Sequence, residues 1–183
     1  MFRRLVLYIE ACESGSMCER LYEPTTKTYC FTASGPYGPS YACDFNKTIG
    51  TYLNDCWSIA WMQDTRTHDT GGWSLGQQAE AVKHTSKRSI SCQYGDLSFL
   101  SSPISDFLGK KAGAMAVERP MPTDATPTHM VHLRTLEMQM AASSEADRPA
   151  LETEYRHELF LKSRAESVFR HLKTVFKEGA QFS

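Results

Sequence analysis

The stretch Leu5-Val6-Leu7-Tyr8-Ile9-Glu10-Ala11-Cys12-Glu13-Ser14-Gly15-Ser16 (LVLYIEACESGS) decides how the rest of the chain is read. Its first five residues are apolar without a break. A strand wetted on one face alternates apolar and polar residues, and a strand covered on both faces does not. Leu5 to Glu10 therefore reads as a strand of a parallel sheet. It ends on an acid, a cysteine, a second acid and a Ser-Gly-Ser turn. Ligand sites of open α/β sheets lie at the carboxyl ends of strands. Residues two apart on a strand share a face, which puts Glu10 and Cys12 on one side. The turn is expected to leave backbone N–H groups pointing at the same place, where an oxyanion is stabilised. Cys12 is a candidate nucleophile, and a structural cysteine is the other reading of the same residues. Glu10 and Glu13 disfavour a thiolate when ionised, so a nucleophile here needs a nearby base, normally histidine.

The remaining composition is that of a globular protein. The chain has 183 residues, 41% of them hydrophobic, and a formal net charge of -1. That suits one domain, or one domain with a helical appendix. The absence of a basic excess argues against a nucleic-acid partner. No apolar run approaches the roughly 20 residues that span a bilayer. Phe2-Arg3-Arg4 and the apolar run after it resemble a signal peptide, but the run is too short and Glu10 stops it. The six cysteines are Cys12, Cys18, Cys30, Cys43, Cys56 and Cys92, with no C-x-x-C pair, so no metal site is expected. Cys30, Cys43 and Cys56 sit among apolar residues and read as small buried hydrophobes, while the even count leaves disulfides open. Asn46-Lys47-Thr48 is a glycosylation sequon.

Along the chain, Met17 to Leu21 reads as a short helical segment and Thr28 to Ala33 as a second strand. Ser34 to Ser40 (SGPYGPS) is a loop. The apolar positions of Thr51 to Gln63 predict one helix, and Leu75 to His84 predicts another. Ser91 to Tyr94 is a short strand, and Pro103 to Leu108 a helical turn closed by Gly109. Lys110 to Thr128, rich in proline, is a linker. In the tail, Leu151, Tyr155, Leu159, Val168, Phe169, Leu172 and Phe176 recur at helical spacing, which predicts an amphipathic helix packed on its neighbours.

Four blocks, "YIEACESGSM", "SYAC", "GTYLNDCWSIAWMQD" and "QYGD", occur in this order. Together they resemble the legumain family of cysteine proteases, the asparaginyl endopeptidases or vacuolar processing enzymes. The resemblance runs from about Leu5 to Gly109. The transamidase subunit related to that family lacks the "EACESGS" and "SYAC" wording. The tail, from "THMVHL", more loosely resembles the helical prodomain that caps the legumain active site, though it carries none of that domain's cysteines.

The resemblance implies an α/β, caspase-like sandwich with a mostly parallel, incomplete sheet, followed by an α-helical prodomain-like tail. It implies residues 1–109 as the C-terminal part of a protease domain, 110–128 as linker and 129–183 as the prodomain-like region. Cys12 matches the nucleophile, with its own N–H in the oxyanion hole. Glu10, Ser40 and Asp55 match positions lining the pocket for the substrate's asparagine, and Tyr41 packs beside it. Acids accept from the two N–H groups of a carboxamide, and serine either donates or accepts. Pro39 departs from the family's usual serine. No cofactor or metal is implied. The implied partners are protein or peptide substrates with asparagine at the cleaved position, in a vacuole or lysosome reached by the secretory route, with the helical tail as an intramolecular cap.

The family's catalytic histidine and pocket arginine lie upstream of the cysteine strand, the histidine followed by glycine. None of His68, His84, His129, His132, His157 and His171 precedes Cys12 or is followed by glycine. The chain is thus expected to begin inside the protease domain and to be a poor protease alone. The alternative is a non-catalytic, legumain-derived binding protein. Asp124, in "PTDATP", reads as an ordinary linker acid, and a self-processing site is the other reading.

Overall fold

The computed structural model describes residues 3–21, 26–86, 88–109 and 119–179. Of the predicted linker, residues 110–118 lie outside the described residues. The chain divides into two compact units, residues 1–131 and 132–183.

The first unit carries two small sheets. In the first, β1 (Leu5–Ile9) runs parallel to β2 (Thr28–Thr32), and β5 (Cys92–Gly95) returns antiparallel on the other side of β2. β2 is buried along its whole length, as a central strand must be, and β1 stands at the sheet edge, half-buried. The second sheet has β3 (Tyr41–Asn46) between β4 (Thr51–Asp55) and the two-residue β6 (Thr126–Pro127), all antiparallel. The fold is mixed α/β, but the expectation of a mostly parallel sheet is corrected. Among the described residues only β1 and β2 run parallel.

The core forms where α1 (Cys56–Thr67) and α2 (Leu75–Thr85) meet Tyr29, Phe31, Phe99 and Ile104. Phe31 packs edge-on to Trp57 at 5.0 Å between ring centroids, and Tyr8 lies against both Phe31 and Trp61. Truncating such a buried aromatic typically costs about 3–5 kcal/mol. α2 starts at a capping box: Ser74 accepts from the Gln77 N–H, and the Gln77 side chain accepts from the Ser74 N–H. Its apolar Leu75, Ala79 and Val82 then fall on one buried face. The short helix α3 (Ser105–Leu108) stops at Gly109, whose φ of 83° suits glycine alone.

Two local expectations fail for tertiary reasons. The single helix over Thr51 to Gln63 is a strand followed by a helix. Asn46 Oδ1 accepts from the N–H groups of Thr48 and Ile49, and Gly50 closes the turn at φ 74°. That turn folds residues 51–55 back onto β3, and ladder pairing overrides the helical period until Cys56. The segment before Leu21 is a 3-10 turn over Ser14–Met17 rather than a helix from Met17. Cys30 is buried as expected but is not a free hydrophobe, since it forms a disulfide with Cys18.

The second unit consists of α4 (Val131–Ala142), which opens at the boundary, and the long α5 (Arg148–Gly179). Tyr155 donates to Glu137 at 2.9 Å, and Arg148 donates to the Met140 carbonyl at 3.3 Å. The apolar stripe of α5 is exposed at Phe160, Val168, Phe169 and Phe176, so the expected packing on neighbours is not seen there.

Candidate active site

β1 ends at Ile9, one residue short of Glu10, and the chain then turns. Cys12 therefore sits in a turn beyond the strand and not on its face. Glu13 adopts the left-handed region at φ 51° and donates its N–H to the Gly38 carbonyl at 2.7 Å. Buried Ser14 and Ser34 lock the turn to the end of β2. Ser14 N–H donates to Ser34 Oγ, Ser34 N–H donates to Ser14 Oγ, and Ser34 Oγ donates to the Ala11 carbonyl. Gly15 N–H goes to the Ser34 carbonyl and Ser16 N–H to the Glu13 carbonyl. The N–H groups of residues 13 to 16 are thus already taken by Gly38, Ser34 and Glu13, and the expected oxyanion site built from them is not there. Sequence reasoning passed over Ser34, and its only signal is a small polar residue directly after a buried strand.

The structure brings Cys12 to Ser40. The Ser40 N–H donates to Cys12 Sγ at 3.4 Å, and the Ser40 hydroxyl lies 3.7 Å from the same sulfur. Ser40 is 2% exposed, although the sequence places it in a loop of glycines and prolines. Its hydroxyl also meets Thr128 Oγ1 at 2.9 Å, while Thr128 donates its N–H and hydroxyl to the Ser40 carbonyl. The chain around β6 is therefore pinned next to Cys12. Asp124 accepts from the N–H groups of Asp44 and Phe45, so it is a fixed partner of β3 rather than a loose linker acid.

From Ser40 the second sheet leads to the acids. Ala42 in β3 pairs with Asp55, the last residue of β4. Three residues later, in the first turn of α1, Ser58 donates its N–H and its hydroxyl to Glu10 Oε2, both at 2.9 Å. Glu10 Oε1 is buried and has no hydrogen-bond partner among the described residues. Burial raises the Glu10 carboxyl to about 7; the Ser58 bonds oppose this and the Asp55 charge adds to it. Burial also raises Asp55. Ser58, like Ser34, has no part in the site read from the sequence. Tyr41 opens β3, half-buried and paired with Pro127, and it makes no hydrogen bond to Cys12, Glu10 or Asp55.

Among the described residues no histidine hydrogen-bonds Cys12. His68 stacks on Trp73 and meets Asp64, His84 meets Glu80, and His132 faces Glu154 and Glu158. Among those residues, too, no three His, Cys, Asp or Glu side chains converge in a metal-binding arrangement.

The sequence profile of the Peptidase C13 family matches residues 1–110. The chain belongs to the peptidase C13 family. This C13 chain is 35% identical over 148 residues to "Legumain" of Mus musculus, covering 79% of this chain and 34% of that protein. It is 36% identical over 156 residues to "Hemoglobinase" of Schistosoma japonicum, covering 82% of this chain and 37% of that protein. It is 32% identical over 121 residues to "Vacuolar-processing enzyme delta-isozyme" of Arabidopsis thaliana, covering 60% and 26%. The C13 chain thus spans about a third of the length of the relatives it matches. No helix among its described residues is long and apolar enough to cross a membrane.

Proposed function

We propose that this chain carries the nucleophile and specificity half of a cysteine endopeptidase that cleaves after asparagine, and after aspartate at acid pH. Family membership supports the cysteine peptidase class. The observation that carries the specificity is the buried, unpartnered Oε1 of Glu10. A buried acceptor left unsatisfied costs about 1–3 kcal/mol, and a substrate N–H that fills it recovers that cost. A carboxamide supplies such an N–H. Below a pH of about 7 the Glu10 carboxyl is protonated and becomes a donor, which suits an aspartate carboxylate instead.

In this reading the Cys12 thiolate attacks the backbone carbonyl carbon of the asparagine itself. The C–N bond then breaks, its electron pair stays on the amine nitrogen, and that nitrogen takes a proton. Water releases the acyl group as an acid and restores the thiol. Ser40 holds the sulfur in place through its N–H. A base at Cys12 is worth roughly 100- to 10,000-fold. Because no described histidine meets the sulfur, this polypeptide alone is a slow catalyst.

Residues 1–109 are assigned a caspase-like architecture, 110–128 a linker, and 129–183 a helical prodomain-like region. The proposal also includes residence in a vacuole or lysosome, in keeping with the vacuolar-processing name of one relative. The Cys18–Cys30 disulfide suits an oxidising secretory route. The second reading is a non-catalytic binding protein, in keeping with a Cys12 sulfur that no histidine among the described residues meets.

The test uses Ala-Ala-Asn and Ala-Ala-Gln peptides carrying an electrophile in place of the scissile carbonyl, with the labelled residue mapped by mass spectrometry. The Asn probe labels Cys12 at least about 10-fold faster than the Gln probe, as one extra methylene in a fitted pocket requires. Equal rates, or labelling centred on Cys92, would sink the reading. Turnover of an Ala-Ala-Asn reporter by full-length protein containing this chain separates the enzyme from the binding protein.

A further inference from the structure

Cys43 and Cys56 form a second cysteine constellation that the site above does not use. Cys43 lies in β3 and is fully buried, and Cys56 opens α1 at 5% exposure. The strand register sets them together. Cys43 pairs with Asn54, and Ala42 with Asp55. Asn54 and Cys56 are two apart, so Cys56 leaves the end of β4 on the face that Cys43 occupies. The Cys56 thiol lies 3.9 Å from the carbonyl of Ala42, the residue before Cys43. Both thiols are free, whereas Cys18 and Cys30 are already joined.

Burial usually makes a cysteine inert. This pair is not sealed, because Cys56 lines a cavity of about 380 Å³ together with Ser86, Arg88, Met121 and Ala125. The cavity admits a small molecule, and the guanidinium of Arg88 offers a partner for its carboxylates. The Cys43 side chain favours the Cys56 thiolate and draws the Cys56 thiol down, while the Cys56 side chain and burial push Cys43 up. Cys56 is thus both the reachable and the more readily ionised member.

We propose that Cys43 and Cys56 are a redox-active pair that closes to a disulfide on reaction with a low-molecular-weight disulfide of the glutathione type. The Cys56 thiolate attacks one sulfur of the reagent. The first thiolate of the reagent leaves, takes a proton, and a mixed disulfide remains on Cys56. Cys43 then gives up its proton and attacks the Cys56 sulfur, and the second reagent thiol departs. Two protein thiols are oxidised, and one reagent disulfide is reduced to two thiols. The closed bond ties β3 to the first residue of α1, directly after Asp55. Where Asp55 is read as a pocket residue, the oxidised and reduced forms differ in how that carboxyl is held; this consequence alone rests on the peptidase reading.

The test exposes the full chain to oxidised glutathione under native conditions, blocks remaining thiols, and maps the peptides without reduction. Trypsin cuts after Lys47, between the two cysteines, but leaves Cys30 on the Cys43 peptide, so the new bond shows as a three-peptide species in which the Cys56 peptide is joined to the Cys18–Cys30 pair. The expected product joins the Cys43 and Cys56 peptides with loss of two hydrogens, and dithiothreitol reverses it. In Cys43→Ser the reaction stops at a glutathione adduct on Cys56, and in Cys56→Ser Cys43 stays unmodified. A wild-type chain with no Cys43–Cys56 link after glutathione has already modified Cys12 or Cys92 overturns the proposal. So does a Cys56→Ser chain in which Cys43 reacts as fast as Cys56 does in the parent. These readouts do not involve asparagine probes, so failure of the peptidase reading leaves them standing, and the reverse also holds.

Discussion

Ser58 gives its backbone N–H and its hydroxyl to the same oxygen of Glu10, each at 2.9 Å, and leaves the other oxygen bare. The pair ties the end of β1 to the start of α1 and aims one free acceptor. Ser58→Ala removes the hydroxyl but keeps the N–H bond. A bond to a charged group is worth about 1.5–3 kcal/mol, so Cys12 labelling by the Asn probe should slow roughly 10- to 100-fold. Losing a bond that favours the carboxylate raises the Glu10 pKa further above about 7, so the labelling profile shifts to higher pH. Ser58→Thr should restore both. A slower rate with an unshifted profile would show that Ser58 acts only through packing.

Glu10 also makes stability depend on pH. Its carboxyl is raised from 4.5 to about 7 by burial, so the folded state binds the proton more tightly than the unfolded chain. Stability from this group is full below about 4.5 and is lost as pH rises through about 7. The span corresponds to at most about 3 kcal/mol. Glu10→Gln, which carries no charge, should flatten the fall in melting temperature between these pH values. A variant that melts with the parent's pH dependence would refute the assignment and point instead to Asp55, which burial raises in the same direction.

Gly15 sits where no larger residue fits. A Cβ there would run into the Tyr94 hydroxyl and would lie 2.8 Å from backbone atoms of both Gly35 and Pro36. Gly15→Ala should cost about 1–3 kcal/mol, as overpacking does, and lower the melting temperature accordingly. Adding Tyr94→Phe should recover only part of this, because the backbone clashes remain. Full recovery would mean that the hydroxyl alone sets the limit.

Thr128 holds the β6 segment against Ser40 by three hydrogen bonds, one of them from its backbone. Thr128→Val deletes the two made by the hydroxyl. At about 1 kcal/mol each the segment loosens, and Cys12 should be alkylated by iodoacetamide several-fold faster. Cys92, elsewhere in the fold, is the internal control. An unchanged Cys12 rate would show that the segment does not shield the sulfur.

Sequence alone settled the features governed by residues next to one another. An unbroken apolar run made β1, and polar residues with two prolines made the loop before β3. Leu75, Ala79 and Val82 at helical spacing made α2, and the wording around Cys12 marked the family. Tertiary structure decided everything that joins distant parts. It set Ser40 against Cys12 across 28 residues and Ser58 against Glu10 across 48. It also made β4 a strand, joined Cys18 to Cys30, and spent the N–H groups of Ser14 and Gly15 on Ser34. The physical reason is the reach of each signal. Periodicity and turn chemistry act within a few residues, whereas register, burial and shared hydrogen bonds exist only once separate segments have been packed together.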